Sequence, residues 1–209
     1  MRLFEKGESV TMKNELLQYS HDLLEVKIIR WEELPDFGVY SDQVLSIIEK
    51  ELSFLDFGPD ERMITPAMIN NYVKLKLIER PAKKKYEKHQ IAMLIVITLL
   101  KQVLPLTDVN KGMKLQIAIK GLSEAYNSFC TELENSFYLL NNCIGTKDDF
   151  SFTMEHIHKE NIALKMITLS LASKLLTQKI ITMEGINKRK VLEAGLKDTT
   201  KKGESSFEE

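Results

Sequence analysis

Ile64-Thr65-Pro66-Ala67-Met68-Ile69-Asn70-Asn71-Tyr72-Val73-Lys74 is the stretch on which the fold turns, followed by Leu77-Ile78, Arg80-Pro81-Ala82-Lys83-Lys84-Lys85-Tyr86 and the apolar run Ile91 to Leu100. Thr65 is a hydroxyl N-cap, and Pro66 takes the first helical position, where a missing N–H does no harm. Ile69, Tyr72 and Val73 come three, six and seven positions after the proline and form the inward face of a short helix. Ala67, Met68, Asn70, Asn71 and Lys74 are left for its other surfaces. Pro81 prevents any smooth continuation, and Lys83 to Tyr86 is too short for a domain linker and reads as a hairpin-like wing. Helix resumes near Glu87 and runs to Leu104, where Pro105 stops it. This order suits a helix held against DNA with a positively charged wing beside it.

The charge is unevenly placed. Residues 64–90 hold seven Lys or Arg against Glu79 and Glu87, a net +5, while the whole chain is −1 and the remainder therefore −6. A basic patch on a mildly acidic body is the footprint expected of a nucleic-acid binder. A solvated lysine-rich loop gives the same pattern, so charge alone does not decide. A hydrophobic fraction of 44% and a charged fraction of 28% are those of an ordinary soluble globular protein. Met1 to Glu8 lack the apolar core of a signal peptide. The longest apolar run has ten residues, from Ile91 to Leu100, against the roughly twenty that a membrane span needs. Cys130 and Cys143 make no disulfide framework and are expected as reduced thiols in the cytoplasm.

Outward from the centre nearly every segment reads as helix. Residues 13–30 carry an amphipathic stripe in Leu16, Leu17, Leu23, Leu24 and Ile28, and Trp31 to Gly38 break it with Pro35 and Gly38. Ser41 is expected as the N-cap of a helix bearing Val44, Leu45, Ile47, Ile48, Leu52 and Leu55. Leu106-Thr107-Asp108-Val109 starts another short helix. Residues 122–143 repeat Leu122, Ala125, Tyr126, Phe129, Leu133, Phe137 and Leu140 at three- to four-residue spacing. Residues 153–186 read as one helix of about 50 Å at 1.5 Å per residue, with Ile162, Met166, Leu169, Ser173, Leu176, Ile180 and Met183 on a 3.5-residue repeat. A second stripe of Leu164, Ile167, Leu171 and Leu175 implies two packing partners, one of them a second copy or both from this chain. Asp198 to Glu209 are polar and expected to be disordered.

Ile64 to Val109 resembles the winged helix-turn-helix of MerR-type transcription regulators. The pattern is carried by Thr65-Pro66, Ile69, Tyr72, Leu77-Ile78, Lys83-Lys84-Lys85-Tyr86, Ile91 with Leu94, and Leu106-Thr107-Asp108-Val109. Taken with its flank from Tyr40 to Val44, the segment looks most like an uncharacterised bacterial family, found chiefly in Firmicutes, whose members share this MerR-like segment. The resemblance covers roughly a third of the chain and implies DNA binding and dimerisation. The chain departs from the pattern at Asn70, where Arg is usual, at Asn71, usually aromatic, and at Lys76, usually Gly. More than a dozen extra residues also separate Val44 from Thr65.

In a helix-turn-helix the second helix enters the major groove with its N-terminal residues at the base edges. Ala67, Met68, Asn70 and Asn71 are the base-reading candidates, since Asn pairs bidentately with adenine and Ala or Met contacts a thymine methyl. Lys74, Lys83, Lys84 and Lys85 are the phosphate candidates. Tyr86 is expected to plug the wing onto the core. Signals for catalysis are weak. His21-Asp22 is isolated, His156 and His158 point to different faces of a helix, and Cys130 and Cys143 lack ligand spacing. No phosphate-cradling glycine loop or nucleophile motif stands out. Aromatics at Phe129, Phe137, Tyr138, Phe150 and Phe152 read as core or as the lining of a ligand pocket.

The expected architecture is mainly α. It comprises an N-terminal helical segment at 1–35, a MerR-like winged helix-turn-helix domain at 36–112, a C-terminal helical domain at 113–197 serving dimerisation, and the tail at 198–209. The expected function is sequence-specific binding of double-stranded DNA by a cytoplasmic homodimeric regulator, with no catalytic activity, no cofactor and no metal. The second expectation is a helical adaptor whose basic winged domain engages a protein partner.

Overall fold

The computed structural model describes residues 6–55, 62–144, 157 and 159–203, with side chains over 15–55, 62–142, 144, 157 and 159–183. Among them are seven α-helices: α1 Lys6–Leu24, α2 Ser41–Glu51, α3 Pro66–Lys74, α4 Lys88–Leu100, α5 Leu106–Lys120, α6 Leu122–Ile144 and α7 Ile162–Gly203. Extended pairing among the described residues is limited to two isolated antiparallel bridges, Val39 with Tyr86 and Ala82 with Lys85. The expectation of a mainly α chain holds.

α4 organises the interior because it is apolar on every side. Ten of its residues, Gln90 to Leu100 without Met93, are buried. Each fully buried Leu or Ile contributes about 1.5 to 3 kcal/mol. α2, α5, α6 and α7 all pack on it, and the described residues include no helix long and apolar enough to cross a membrane. α6 is the second organiser, touching α1, α4, α5 and α7. Its stripe of Ala125, Tyr126, Phe129, Leu133, Phe137 and Leu140 is buried, as its spacing required. Buried residues from Leu23 to Leu176 form one cluster. That core passes unbroken across position 112, the expected edge between domains, which lies inside α5.

The first helix ends at Leu24 rather than running on to residue 30. The reason is tertiary. Residues 26–30 are pulled out of helix by polar side chains of α6 and one of α2. Glu134 accepts from Ile28 N at 3.1 Å, Tyr126 Oη donates to Ile29 O at 2.8 Å, Asn127 Oδ1 accepts from Trp31 N at 2.8 Å, and Glu51 accepts from Ile29 N at 3.3 Å. Backbone groups that would have closed a helix are satisfied across the chain instead.

Three other boundaries differ from expectation. Ser41 is the first residue of α2 and Tyr40 its N-cap, because Gln43 Oε1 accepts from Tyr40 N at 2.9 Å. The last long helix begins at Ile162, preceded by a 3-10 turn at Lys159–Asn161, and continues through Gly203. Its helical backbone thus includes residues 198–203 of the expected polar tail; residues 204–209 lie outside the described residues. So do His156, His158, Phe150, Phe152 and the side chain of Cys143. Between α5 and α6, Gly121 has φ 79° and ψ 163°. Its N–H donates to Ile117 O at 2.8 Å and its carbonyl accepts from Ala125 N at 3.0 Å, so one residue closes one helix and opens the next. That backbone region is reserved for glycine.

Candidate nucleic-acid interface

The short helix forms as its start signal dictates. Thr65 Oγ1 accepts from Met68 N at 3.2 Å, Thr65 O accepts from Ile69 N at 3.0 Å, and Pro66 occupies the first turn. Ile69 and Tyr72 are buried and fix the roll of the helix, and burial holds the Tyr72 hydroxyl above the ordinary tyrosine range. Ala67, Asn70, Asn71 and Lys74 are all exposed. Their spacing of three, one and three puts them in a single outward stripe. Met68, the fourth base-reading candidate, is half-buried and packs on the core, with its Sδ 3.6 Å from Lys101 Nζ. The same ammonium donates to Met63 O at 2.6 Å, and burial lowers its pKa.

α3 closes through a left-handed cap. Leu77 N donates to Tyr72 O at 2.9 Å and Lys76 N to Val73 O at 3.1 Å. This double bond pattern needs a residue at positive φ just past the helix, a position that favours glycine. Lys76 fills it with φ 56°, at the place where the resembled pattern carries glycine. The buried Leu77 then anchors the turn.

The segment expected as a wing is a two-residue turn. Lys85 N donates to Ala82 O at 2.9 Å across Lys83 and Lys84, whose φ values are 49° and 64°. Positive φ at both central residues is the condition for the hairpin turn that suits twisted strands, which Asn-Gly meets most easily. Here two lysines meet it. The hairpin is fastened to the entry of α2 by reciprocal bonds between Val39 and Tyr86, 2.9 Å from Val39 N and 2.7 Å from Tyr86 N. Tyr86 is buried and plugs the hairpin onto the body as expected, with its hydroxyl pKa raised by that burial. Gly38 permits the close approach: a Cβ there would meet Lys85 Cβ at 3.0 Å. Lys85 consequently lies along this edge, with Nζ 5.3 Å from the centre of the Tyr40 ring.

Gln90, absent from the residues that the sequence singles out, secures the base of the wing. It is buried, donates through Nε2 to Glu79 O at 2.9 Å and accepts through Oε1 from Glu87 N at 2.8 Å. A glutamine three residues beyond the first polar residue of the helix is the available signal. His89 lies 3.8 Å from both Glu79 and Glu87, the two acids of the segment. Lys88 stacks over Trp31, 5.7 Å from the ring centre. Lys74, Lys76, Arg80, Lys83 and Lys84 form no ion pair among the described residues, leaving the cations of α3 and the wing uncompensated.

Cys130 has no such openness. It is buried beside Arg30 and Tyr126, and burial pushes its thiol up to about 12, so it is a protonated core residue at neutral pH.

No curated protein and no solved structure matches the chain. Just under half of it does match a family model. Residues 29–129, from the extended segment bound to α6, through α2, α3, the hairpin turn, α4 and α5, and into α6, match the model of a domain of unknown function (DUF1836).

Proposed function

We propose that the chain is a sequence-specific DNA-binding protein of the winged helix-turn-helix kind, a transcription regulator acting as a cytoplasmic homodimer. In this reading α2 and α3 are the two helices of the motif. Ala67, Asn70 and Asn71 meet base edges, and Lys74, Lys83 and Lys84 meet phosphates, with Lys85 at the edge of the wing.

One observation carries the reading. The described non-glycine residues with positive φ are Lys76, Lys83 and Lys84, all in the basic segment. A left-handed backbone costs a residue with a Cβ about 1 to 2 kcal/mol, and glycine or asparagine would relieve it. Lysine at all three places sacrifices stability and retains charge, as expected where charge is the function. The cations beside the outward stripe of α3, unpaired among the described residues, support the same conclusion.

The test is the salt dependence of binding to mixed-sequence duplex DNA, for the wild type and for Lys83→Ala/Lys84→Ala/Lys85→Ala. Removing a lysine that neutralises one phosphate flattens the slope of log K against log salt by about 0.9. The triple variant should therefore bind every duplex more weakly, with a shallower slope. Undiminished affinity at moderate salt would remove the wing from the interface.

A second reading has one observation in its favour: Phe37, Tyr40 and Leu75 are 66%, 52% and 49% exposed in and around the same elements. Exposed aromatic and aliphatic side chains beside basic ones suit an adaptor that docks an acidic protein partner. Salt sensitivity fits both readings, and a preference among DNA sequences fits only the first.

A further inference from the structure

A cavity of about 150 Å³ lies between α4, α5, α6 and the start of α7. Met93 and Val96 from α4, Met113 from α5, Phe129 from α6 and Ile167 from α7 supply most of its character, which is hydrocarbon and thioether. Interiors are packed closely enough that few voids exceed one water molecule. An apolar space of this size admits a single ring, and this one is open to solvent on one side.

Two features distinguish it from a packing defect. The first is an unmet acceptor in the lining: Gln116 Oε1 is buried and accepts no hydrogen bond among the described residues. The other polar groups of the wall are engaged, Tyr126 Oη with Ile29 O at 2.8 Å and the exposed Asp108 with Lys111 at 3.6 Å. The second is a way in. Gly112 and Leu115 line the cavity and are exposed, and a Cβ built on Gly112 would meet nothing within 4 Å. A helical glycine at an exposed point of the lining leaves that part of the wall without a side chain.

We propose that this cavity is a binding site for a small single-ring molecule carrying one hydrogen-bond donor, a phenol or an arylamine. The ring fills the apolar space and its donor satisfies Gln116 Oε1. This goes beyond the DNA-binding reading and does not rest on it.

The test uses the full chain with ¹³C-labelled methionine ε-methyl groups, titrated with phenol and separately with benzene. Met93 and Met113 line the cavity, whereas Met63 and Met183 are buried elsewhere. Phenol should move the Met93 and Met113 signals saturably and leave Met63 and Met183 in place. It should bind about fivefold more tightly than benzene, the worth of one net hydrogen bond. Gly112→Leu fills the mouth and should abolish both titrations while the helical circular dichroism is retained. If that variant does not fold, nuclear Overhauser effects between phenol ring protons and the Met93 and Met113 methyls of the wild type carry the test. Absence of a saturable shift, equal shifts at all four methionines, benzene binding as tightly as phenol, or unchanged binding in a folded Gly112→Leu would each overturn the proposal. DNA is absent from every arm, so the result is independent of the winged-helix reading.

Discussion

Arg30 and Glu134, far apart in sequence, meet as a two-pronged ion pair, Nη1 to Oε1 at 2.9 Å and Nη2 to Oε2 at 2.8 Å. The same carboxylate accepts from Ile28 N at 3.1 Å, so one side chain of α6 ties down two residues of the segment between α1 and α2. Parallel N–H donors matched to both carboxylate oxygens make this geometry stronger than a single surface contact. Glu134→Ala strands a guanidinium and a backbone N–H together. With side chains 31% and 14% exposed, the loss should be about 2 to 4 kcal/mol, somewhat below that of a fully buried pair. A urea titration would show it as a lower midpoint with an unchanged slope. A loss under about 0.5 kcal/mol, the scale of an ordinary surface substitution, would mean that other bonds hold the segment.

The thiol beside this pair predicts a loss of stability in alkali. Cys130 ionises at about 12 when folded and near its ordinary 9.0 when unfolded. Between those values the unfolded chain has released a proton that the folded chain keeps, so stability falls as pH rises through the window and is whole below it. Tyr126, also raised by burial, adds to the decline above its ordinary 10.0. Urea midpoints at pH 8, 9.5 and 10.5 should descend, and Cys130→Ala should descend less steeply. Parallel profiles for the two proteins would contradict the buried-thiol account.

Lys76, Lys83 and Lys84 predict an opposition between stability and binding. Lys76→Gly should raise stability by about 0.5 to 1 kcal/mol, since it places glycine at a left-handed helix end. Lys83→Asn/Lys84→Gly should add a similar amount by supplying the turn's preferred residues. Both variants should melt higher, and the turn variant, which removes two phosphate-contacting lysines, should bind DNA more weakly with a shallower salt slope. Higher melting with unchanged DNA affinity would detach the backbone strain from function.

Gly121 predicts a loss in the opposite direction. Its φ of 79° with ψ of 163° is open to glycine almost alone, although a Cβ there would meet nothing within 4 Å. Gly121→Ala should cost about 1 to 3 kcal/mol through backbone strain. Calorimetry would register a lower melting temperature, and an unaltered one would show that the junction between α5 and α6 relaxes without penalty.

What is legible in the sequence follows from the range of the forces involved. Thr65-Pro66 and the outward set Ala67, Asn70, Asn71 and Lys74 are readable because capping and helical spacing are local. The buried run Ile91 to Leu100 is readable as a central helix because it is apolar on every side. The stop at Leu24 is hidden because Glu134, Tyr126 and Asn127, which hold the backbone just past it in extended form, lie about a hundred residues downstream. The inward turn of Met68 is hidden for a similar reason: its neighbour is Lys101, at the far end of α4. The brevity of the segment between Pro81 and Tyr86 is enough to suggest a hairpin-like wing. The positive φ at Lys83 and Lys84 is not legible, because neither residue carries the turn preference of asparagine or glycine.

The most direct measurement mixes the purified protein with sheared genomic DNA at near-physiological salt and sequences the fragments retained. The account predicts recovery of a shared inverted repeat, with half-sites one or two helical turns apart as a two-fold dimer requires. Asn70→Ala and Asn71→Ala should blur that motif, while the triple lysine variant should lower recovery without changing it. Flat recovery across the genome by the wild type would contradict sequence-specific binding and direct attention to a protein partner at the basic wing.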